Sequence, residues 1–291
     1  MSIEDNKLEL KKDQVFTVRI YFIEAIELIS VVVNTLIKLE FETYSISMAE
    51  SQFLIPVLKR SLRNIIFICV NTAREAEHWL EYIDKLDKLG DVNVQVGIFT
   101  YNNISDKLKL AFLERRAAVI RYSDLQENTL NVIKKILVYF EAKGQRKFVR
   151  AKASGISEAF FTVKNLEEAV RGDILETSAA AFSCRIPQAF RVYFNKGDSF
   201  DQVLLVLRGI RVRVSAQVLG FDQKAPDVFI FKLCTAKIED NKLIYVDGLL
   251  PEVKAKVHTY IRMCLRSQIA SELEAYSMKD KAAAAEDKKE D

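Results

Sequence analysis

Much of what marks a protein for a particular chemistry is missing from this chain of 291 residues. The four cysteines, Cys69, Cys184, Cys234 and Cys264, include no CxxC pair, and three lie in apolar runs where a free thiol behaves as a small hydrophobe. Reduced thiols are expected. The two histidines, His78 and His258, sit one in each half on helical patterns, with no cysteine or acid at ligand spacing, so no metal is expected. No GxxxxGK[ST], GxGxxG or GxSxG element occurs, and nothing else in the chain reads as catalytic machinery. Lysine and arginine number 43 against 40 aspartates and glutamates, a formal charge of +3. That balance lacks the broad basic footprint of a nucleic-acid binder, so any anion site must be local. No run approaches the ~20 apolar residues of a membrane span, and "MSIEDNKLELKKDQ" has no apolar signal core. A cytoplasmic location without membrane insertion is expected. No internal repeat is visible.

What is present falls into two halves. From Val15, short apolar runs rich in β-branched residues alternate with longer segments of helical period: "VFTVRIYFI" then "EAIELISVVVNTLIKLEF", "TYSIS" then "AESQFLIPVLKRSL", "NIIFICVN" then "AREAEHWLEYIDKLDKLG", "VQVGIFTYN" then "SDKLKLAFLERR", and "AAVIRY" then "LQENTLNVIKKILVYFEAK". Strands apolar on both faces and separated by helices predict a parallel sheet covered on each side. The first domain is therefore a doubly wound (βα)5 unit over residues 1–143. After Gly144 the runs become strand-like and are separated by turn residues, until "PEVKAKVHTYIRMCLRSQIASELEAY" returns to helical spacing with Val253, Val257, Ile261, Leu265 and Ile269 on one stripe. The chain is thus α/β and then mainly β, with a barrel and its C-terminal helix over residues 144–275. The charged remainder, 276–291, is expected to be a disordered tail.

The layout of the first half resembles the receiver domain of response regulators. That family places two acids after the first strand, a phosphate-accepting aspartate at the end of the third, a Thr or Ser at the end of the fourth and a lysine at the end of the fifth. The carboxylates hold a magnesium ion that neutralises the incoming phosphoryl group. Here the first strand offers only Glu24, the third has Asn71 where the acceptor should stand, the fourth ends in Thr100, and the fifth has Arg121 and Tyr122 but no lysine. An amide cannot become an acyl phosphate. The resemblance therefore implies a pseudo-receiver, kept for packing, dimerisation or partner docking; a generic α/β domain is the other reading.

Between the halves lies "KGQRKFVRAK", residues 143–152, with Arg146 and Arg150 four apart. By itself the spacing fits a solvated strand edge equally well. Its position, the downstream "ETSAAAF" and the all-β remainder together resemble a PilZ domain, a six-stranded β-barrel receptor for cyclic di-GMP that uses an RxxxR motif and a [D/N]xSxxG motif. Ser178 matches the second motif, whereas Glu176 replaces its Asp or Asn and Ala181 its Gly. The resemblance implies that Arg146 and Arg150 grip phosphate or stack on guanine, that Glu176 accepts from guanine N1 and N2, and that Ser178 offers its hydroxyl. An alanine at position 181 is a poor substitute if that site needs a positive φ. The function implied is a non-enzymatic cyclic di-GMP receptor that changes domain arrangement and signals to an unidentified partner protein. A degenerate scaffold that docks partners without nucleotide is the alternative. The basic cluster Arg208, Arg211 and Arg213 reads as the wet face of a strand, with flanking of the same anion site or contact with nucleic acid as further readings.

Overall fold

The computed structural model describes residues 18–290 apart from 25–26, 60, 62, 91–92, 101–103, 122–125, 144–146 and 165. Among these the chain separates into two compact units, one of the described residues up to 147 with those from 269 onward, and one of residues 148–268.

In the first unit, β1 (Val18–Ile23), β2 (Thr43–Ile46), β3 (Arg63–Val70), β4 (Asn93–Thr100) and β5 (Ala118–Arg121) form one sheet in the order β2-β1-β3-β4-β5. Every pairing is parallel. This is the flavodoxin-like order, and it follows from right-handed crossovers that lay helices on both faces. The helices are α1 (Glu27–Lys38), α2 (Met48–Ser51), α3 (Leu54–Leu58), α4 (Ala73–Asp87), α5 (Asp106–Glu114) and α6 (Gln126–Tyr139). The β3 run from Asn64 to Val70 is buried throughout, as the central strand of a doubly covered sheet must be. Phe22, Phe67 and Phe99 stack across β1, β3 and β4, with centroids 4.9 and 5.2 Å apart between neighbours. Residues 48–58 do not make a single helix. Ser47 closes a capping box with Glu50 on a one-turn helix, and a second begins at Leu54. Pro56, which has no N–H to donate, sits in the first turn of that second helix, where none is required.

The second unit is antiparallel. It contains β6 (Ala151–Lys152), β7 (Ser157–Phe161), β8 (Val170–Thr177), β9 (Ala181–Arg185), β10 (Ser199–Leu207), β11 (Ile210–Phe221), β12 (Val228–Glu239) and β13 (Lys242–Asp247). Six strands follow in the order β11-β10-β7-β8-β9-β12, and pairing of β11 with β12 closes them into a barrel. Over the paired stretch, Ser215 to Phe221 against Phe229 to Cys234, neither strand keeps a free edge that could template association. The interior is aromatic: Phe161 lies 4.8 Å from Phe231 and 5.1 Å from Phe194, and Phe182 stacks on Phe231 at 5.0 Å. Gly172 of β8 has no room for a side chain, because a Cβ there would fall 2.6 Å from Cys184 Sγ and 2.9 Å from the Arg185 carbonyl oxygen.

Helix α7 runs from Pro251 to Glu290. Within the second unit it buries Val257, Tyr260, Ile261, Cys264 and Leu265, and the fully buried Tyr260 hydroxyl donates to Ser157 Oγ at 2.8 Å. Its later part belongs to the first unit, where Glu272 meets Arg19 at 3.0 Å. The stretch expected to be a disordered tail, 276–291, lies along this helix as far as Glu290. The stretch "KDKAAAAEDKKE" is charged, but alanine, lysine and glutamate are strong helix formers, and the preceding turns already supply the nucleus.

Candidate functional site

The segment after the first unit is laid on the barrel by a short ladder. β6 pairs antiparallel with the end of β8, Ala151 opposite Thr177 and Lys152 opposite Glu176. Residue 150 is thereby delivered beside the β8–β9 turn, and Arg150 Nη1 stands 3.9 Å from Glu176 Oε2. Both side chains are solvent-accessible, at 57% and 39%, so the pair is a loose surface contact that an incoming anion can exchange. Arg146 lies outside the described residues.

Ser178 has a different occupation. Its Oγ donates to the Ala181 carbonyl at 3.0 Å and accepts from the N–H groups of Ala181 and Ala180 at 3.0 and 3.3 Å. Its own N–H donates to the Ala181 carbonyl at 2.8 Å. The serine is only 4% exposed, so its hydroxyl works as the core of the turn that joins β8 to β9. Ala181 begins β9 and does not adopt a positive φ, so the backbone here does not demand glycine. Next to Ser178, the hydroxyl of Thr177 is buried without a hydrogen-bond partner.

The remaining candidates separate from this cluster. Arg208 is not on a strand. With Gly209 it forms the two-residue β10–β11 turn, φ 51° and 85°, and its guanidinium donates to Ser154 Oγ at 3.1 Å and Ser267 Oγ at 2.9 Å. It ties α7 to the barrel. Arg211 and Arg213 lie exposed on β11. In the first unit Glu24 accepts from the Met48 N–H, and the Asn71 N–H donates to Glu75 Oε2 at 2.8 Å. Thr100 is buried, Arg121 ends β5, and Tyr122 lies outside the described residues. His78 is exposed and packs edge-on against Trp79, whereas His258 is buried. Among the described residues no group of three His, Cys, Asp or Glu side chains is placed to hold a metal. All four cysteines are buried and free, and burial pushes the Cys184 thiol well above its ordinary value.

A six-stranded antiparallel barrel closed by β11 and β12 and followed by a helix is the PilZ-type architecture. The second unit has that fold. No protein-family model and no curated protein matches the chain. Among solved structures, the PilZ domain with c-di-GMP of YcgR from Escherichia coli matches with a TM-score of 0.31 and 14% identity, over 47% of this chain and 98% of that one. The YcgR complex with c-di-GMP from Escherichia coli matches at 0.30 and 15%, over 48% of this chain and 51% of that one. The K. pneumonia MrkH–c-di-GMP complex matches at 0.28 and 11%, over 40% of this chain and 49% of that one. This chain therefore spans about half the length of the latter two.

Sequence reasoning missed two features of the PilZ-type unit. One is the β12–β13 hairpin, whose turn residues Asp240 and Asn241 both have positive φ. An Asp-Asn pair between two strand-like runs is the signal that marks it. The other is the bond between Arg208 and α7, for which a local sequence pattern carries no signal.

Proposed function

We propose that this chain is a cytoplasmic, non-enzymatic receptor for cyclic di-GMP that signals to a partner protein. The observation that supports this reading is the β6–β8 ladder, which brings Arg150 beside Glu176 and the Ser178 turn at one end of β8. In the proposed complex Arg146 and Arg150 take the phosphates and guanine faces, since a guanidinium offers both a bidentate fork and a stacking plane. Arg150 exchanges its carboxylate partner for phosphate, and the freed Glu176 accepts from guanine N1 and N2. Ser178 and Ala181 act by holding the turn. Binding fixes the segment between the units and so selects one arrangement of the pseudo-receiver relative to the barrel, which the partner reads.

Titration calorimetry with cyclic di-GMP tests this. The wild type should bind, and Arg146→Ala and Arg150→Ala should each lose about 1.5–3 kcal/mol, the scale of a hydrogen bond to a charged group. No heat from the wild type, or full binding by both variants, defeats the proposal.

One observation favours a second reading, a scaffold that docks partners without nucleotide: the Ser178 hydroxyl is fully engaged within its own turn and Arg150 already faces a carboxylate. Binding gained only after Glu176→Asp with Ala181→Gly would support that scaffold.

A further inference from the structure

The barrel does not stay closed along its whole height. β11 pairs with β12 from Phe221 opposite Phe229 to Ser215 opposite Cys234, and there the strands part. Residues 210–214 of β11 continue with β10 alone, and residues 235–239 of β12 continue with β13 alone. The resulting fork is held open by specific bonds. β10 carries a bulge between Phe200 and Val203, which frees Asp201 and Gln202 from the ladder. At the point of divergence, buried Ser215 Oγ donates to the Asp201 carbonyl at 3.0 Å and accepts from the Ala236 N–H at 3.2 Å, tying β10, β11 and β12 together. The Tyr245 hydroxyl of β13 donates to the Asp201 carboxylate, and Thr235 Oγ1 donates to the Gly248 carbonyl at 2.9 Å.

Within the fork is a cavity of about 210 Å³, with Leu249, Leu250 and Val253 along its apolar side. Two opposite charges line it, Asp201 from β10 and Arg213 from β11, yet they form no ion pair with each other. Among the described residues, the Arg213 guanidinium has no carboxylate partner at all. A simple anion entering here would meet Asp201, and a simple cation would meet Arg213. A neutral apolar guest would strip water from both charges without replacing it. A molecule carrying both charged groups on one carbon, with an aliphatic group for the leucine side, satisfies all three walls. The volume exceeds the ~150 Å³ of an apolar cavity that accommodates benzene, so it has room for a small side chain.

We propose that this fork binds a free α-amino acid with an aliphatic side chain, its carboxylate on Arg213, its ammonium on Asp201 and its side chain against Leu249, Leu250 and Val253. The site uses none of the residues assigned to cyclic di-GMP and stands or falls separately from that assignment.

Calorimetry on the full chain with L-leucine and L-valine tests it, with isocaproate and isoamylamine as guests that keep leucine's alkyl group and drop one charge each. L-leucine or L-valine should bind at millimolar concentration or below, and both single-charge guests should bind at least about tenfold more weakly, the scale of one charge-assisted hydrogen bond. Arg213→Gln should lose affinity by a similar factor, and so should Asp201→Asn, which still accepts from Tyr245. Leu250→Trp, at an exposed position, should fill the cavity and abolish binding while leaving the circular dichroism spectrum unchanged. No heat with either amino acid, equal binding of the single-charge guests, or unchanged affinity in Arg213→Gln and Asp201→Asn overturns the proposal.

Discussion

Replacing Arg208 should loosen α7 from the barrel, and the choice of substituent separates two opposing effects. Arg208 occupies a left-handed turn position, φ 51°, where an arginine side chain is disfavoured by ~1–2 kcal/mol relative to a right-handed residue. In return its guanidinium holds Ser154 and Ser267 at 3.1 and 2.9 Å and approaches the Met263 carbonyl at 3.5 Å, a distance too long to count for much. The arginine is exposed, so each good bond contributes toward the low end of the range, together about 1–2 kcal/mol. Arg208→Ala removes both bonds and leaves the turn strained, so it should destabilise the docking of α7 by that full amount. Arg208→Asn removes the bonds but supplies a residue that tolerates the left-handed region, so its loss should be smaller by roughly 0.5–1 kcal/mol. Hydrogen exchange resolved over residues 254–268 is the assay. Opening should accelerate about 5- to 30-fold in the alanine variant and less in the asparagine variant. Fluorescence of Trp79, the chain's one tryptophan, reports on the first unit and serves as the internal control. Unchanged exchange in Arg208→Ala, or an asparagine variant that opens faster than the alanine variant, would refute the reasoning.

Ser178→Ala should lower the stability of the barrel by about 1–3 kcal/mol, because the part-buried N–H groups of Ala180 and Ala181 lose their acceptor. Urea unfolding followed by circular dichroism checks this, and a normal midpoint with lost cyclic di-GMP affinity would place the hydroxyl on the ligand instead. In the first unit, the hydrogen bond from Arg115 to Asp84, at 2.7 Å, and the charge behind it hold the Asp84 carboxyl below its ordinary 3.8. A group whose value falls on folding stabilises above its unfolded value and loses that contribution as pH drops through the folded value. The wild type should therefore lose more stability than Asp84→Asn as pH falls below about 4, measured by Trp79 fluorescence; parallel acid limbs would remove the ion pair from the account.

The parts of the fold legible in the sequence are those where one local pattern has one physical solution. The run "IIFIC" of β3 is apolar on both faces because it is covered on both faces, and that alone announces a central parallel strand. Patterns with two solutions were less readable. "AESQFLIPVLKRSL" has the composition of a helix, but a capping box and a proline divide it into two short ones. The charged C-terminal stretch satisfies the composition of disorder and of helix alike, and its covalent continuity with the buried turns of α7 is a signal that composition does not contain. "RKFVRAKA" has strand character across its length, but among its described residues the ladder with β8 is made by Ala151 and Lys152, with the Ala153 N–H carrying on to the Leu175 carbonyl at 2.8 Å. Of the proposed site, the sequence carries the motif spacing. It does not carry the β6–β8 register that brings Arg150 to Glu176, because register is a property of two strands together.

The same distinction bears on the two departures from the [D/N]xSxxG pattern. Alanine at 181 is a departure in sequence but not in conformation, because the backbone there lies outside the left-handed region and the Ser178 turn closes around the alanine's own N–H and carbonyl. The extra methylene of Glu176 is a departure in reach. It extends the carboxylate along the edge of β8 toward β6, where it meets Arg150. Aspartate at that position has one methylene fewer with which to make the same contact. The substitution therefore couples the two motifs to each other before any ligand arrives. Any dianionic ligand that enters must outcompete an internal carboxylate for Arg150, and a surface pair of this exposure contributes no more than about 1 kcal/mol, less than the phosphate contact that would replace it. In the proposed complex this coupling would weaken binding by a small factor without abolishing it.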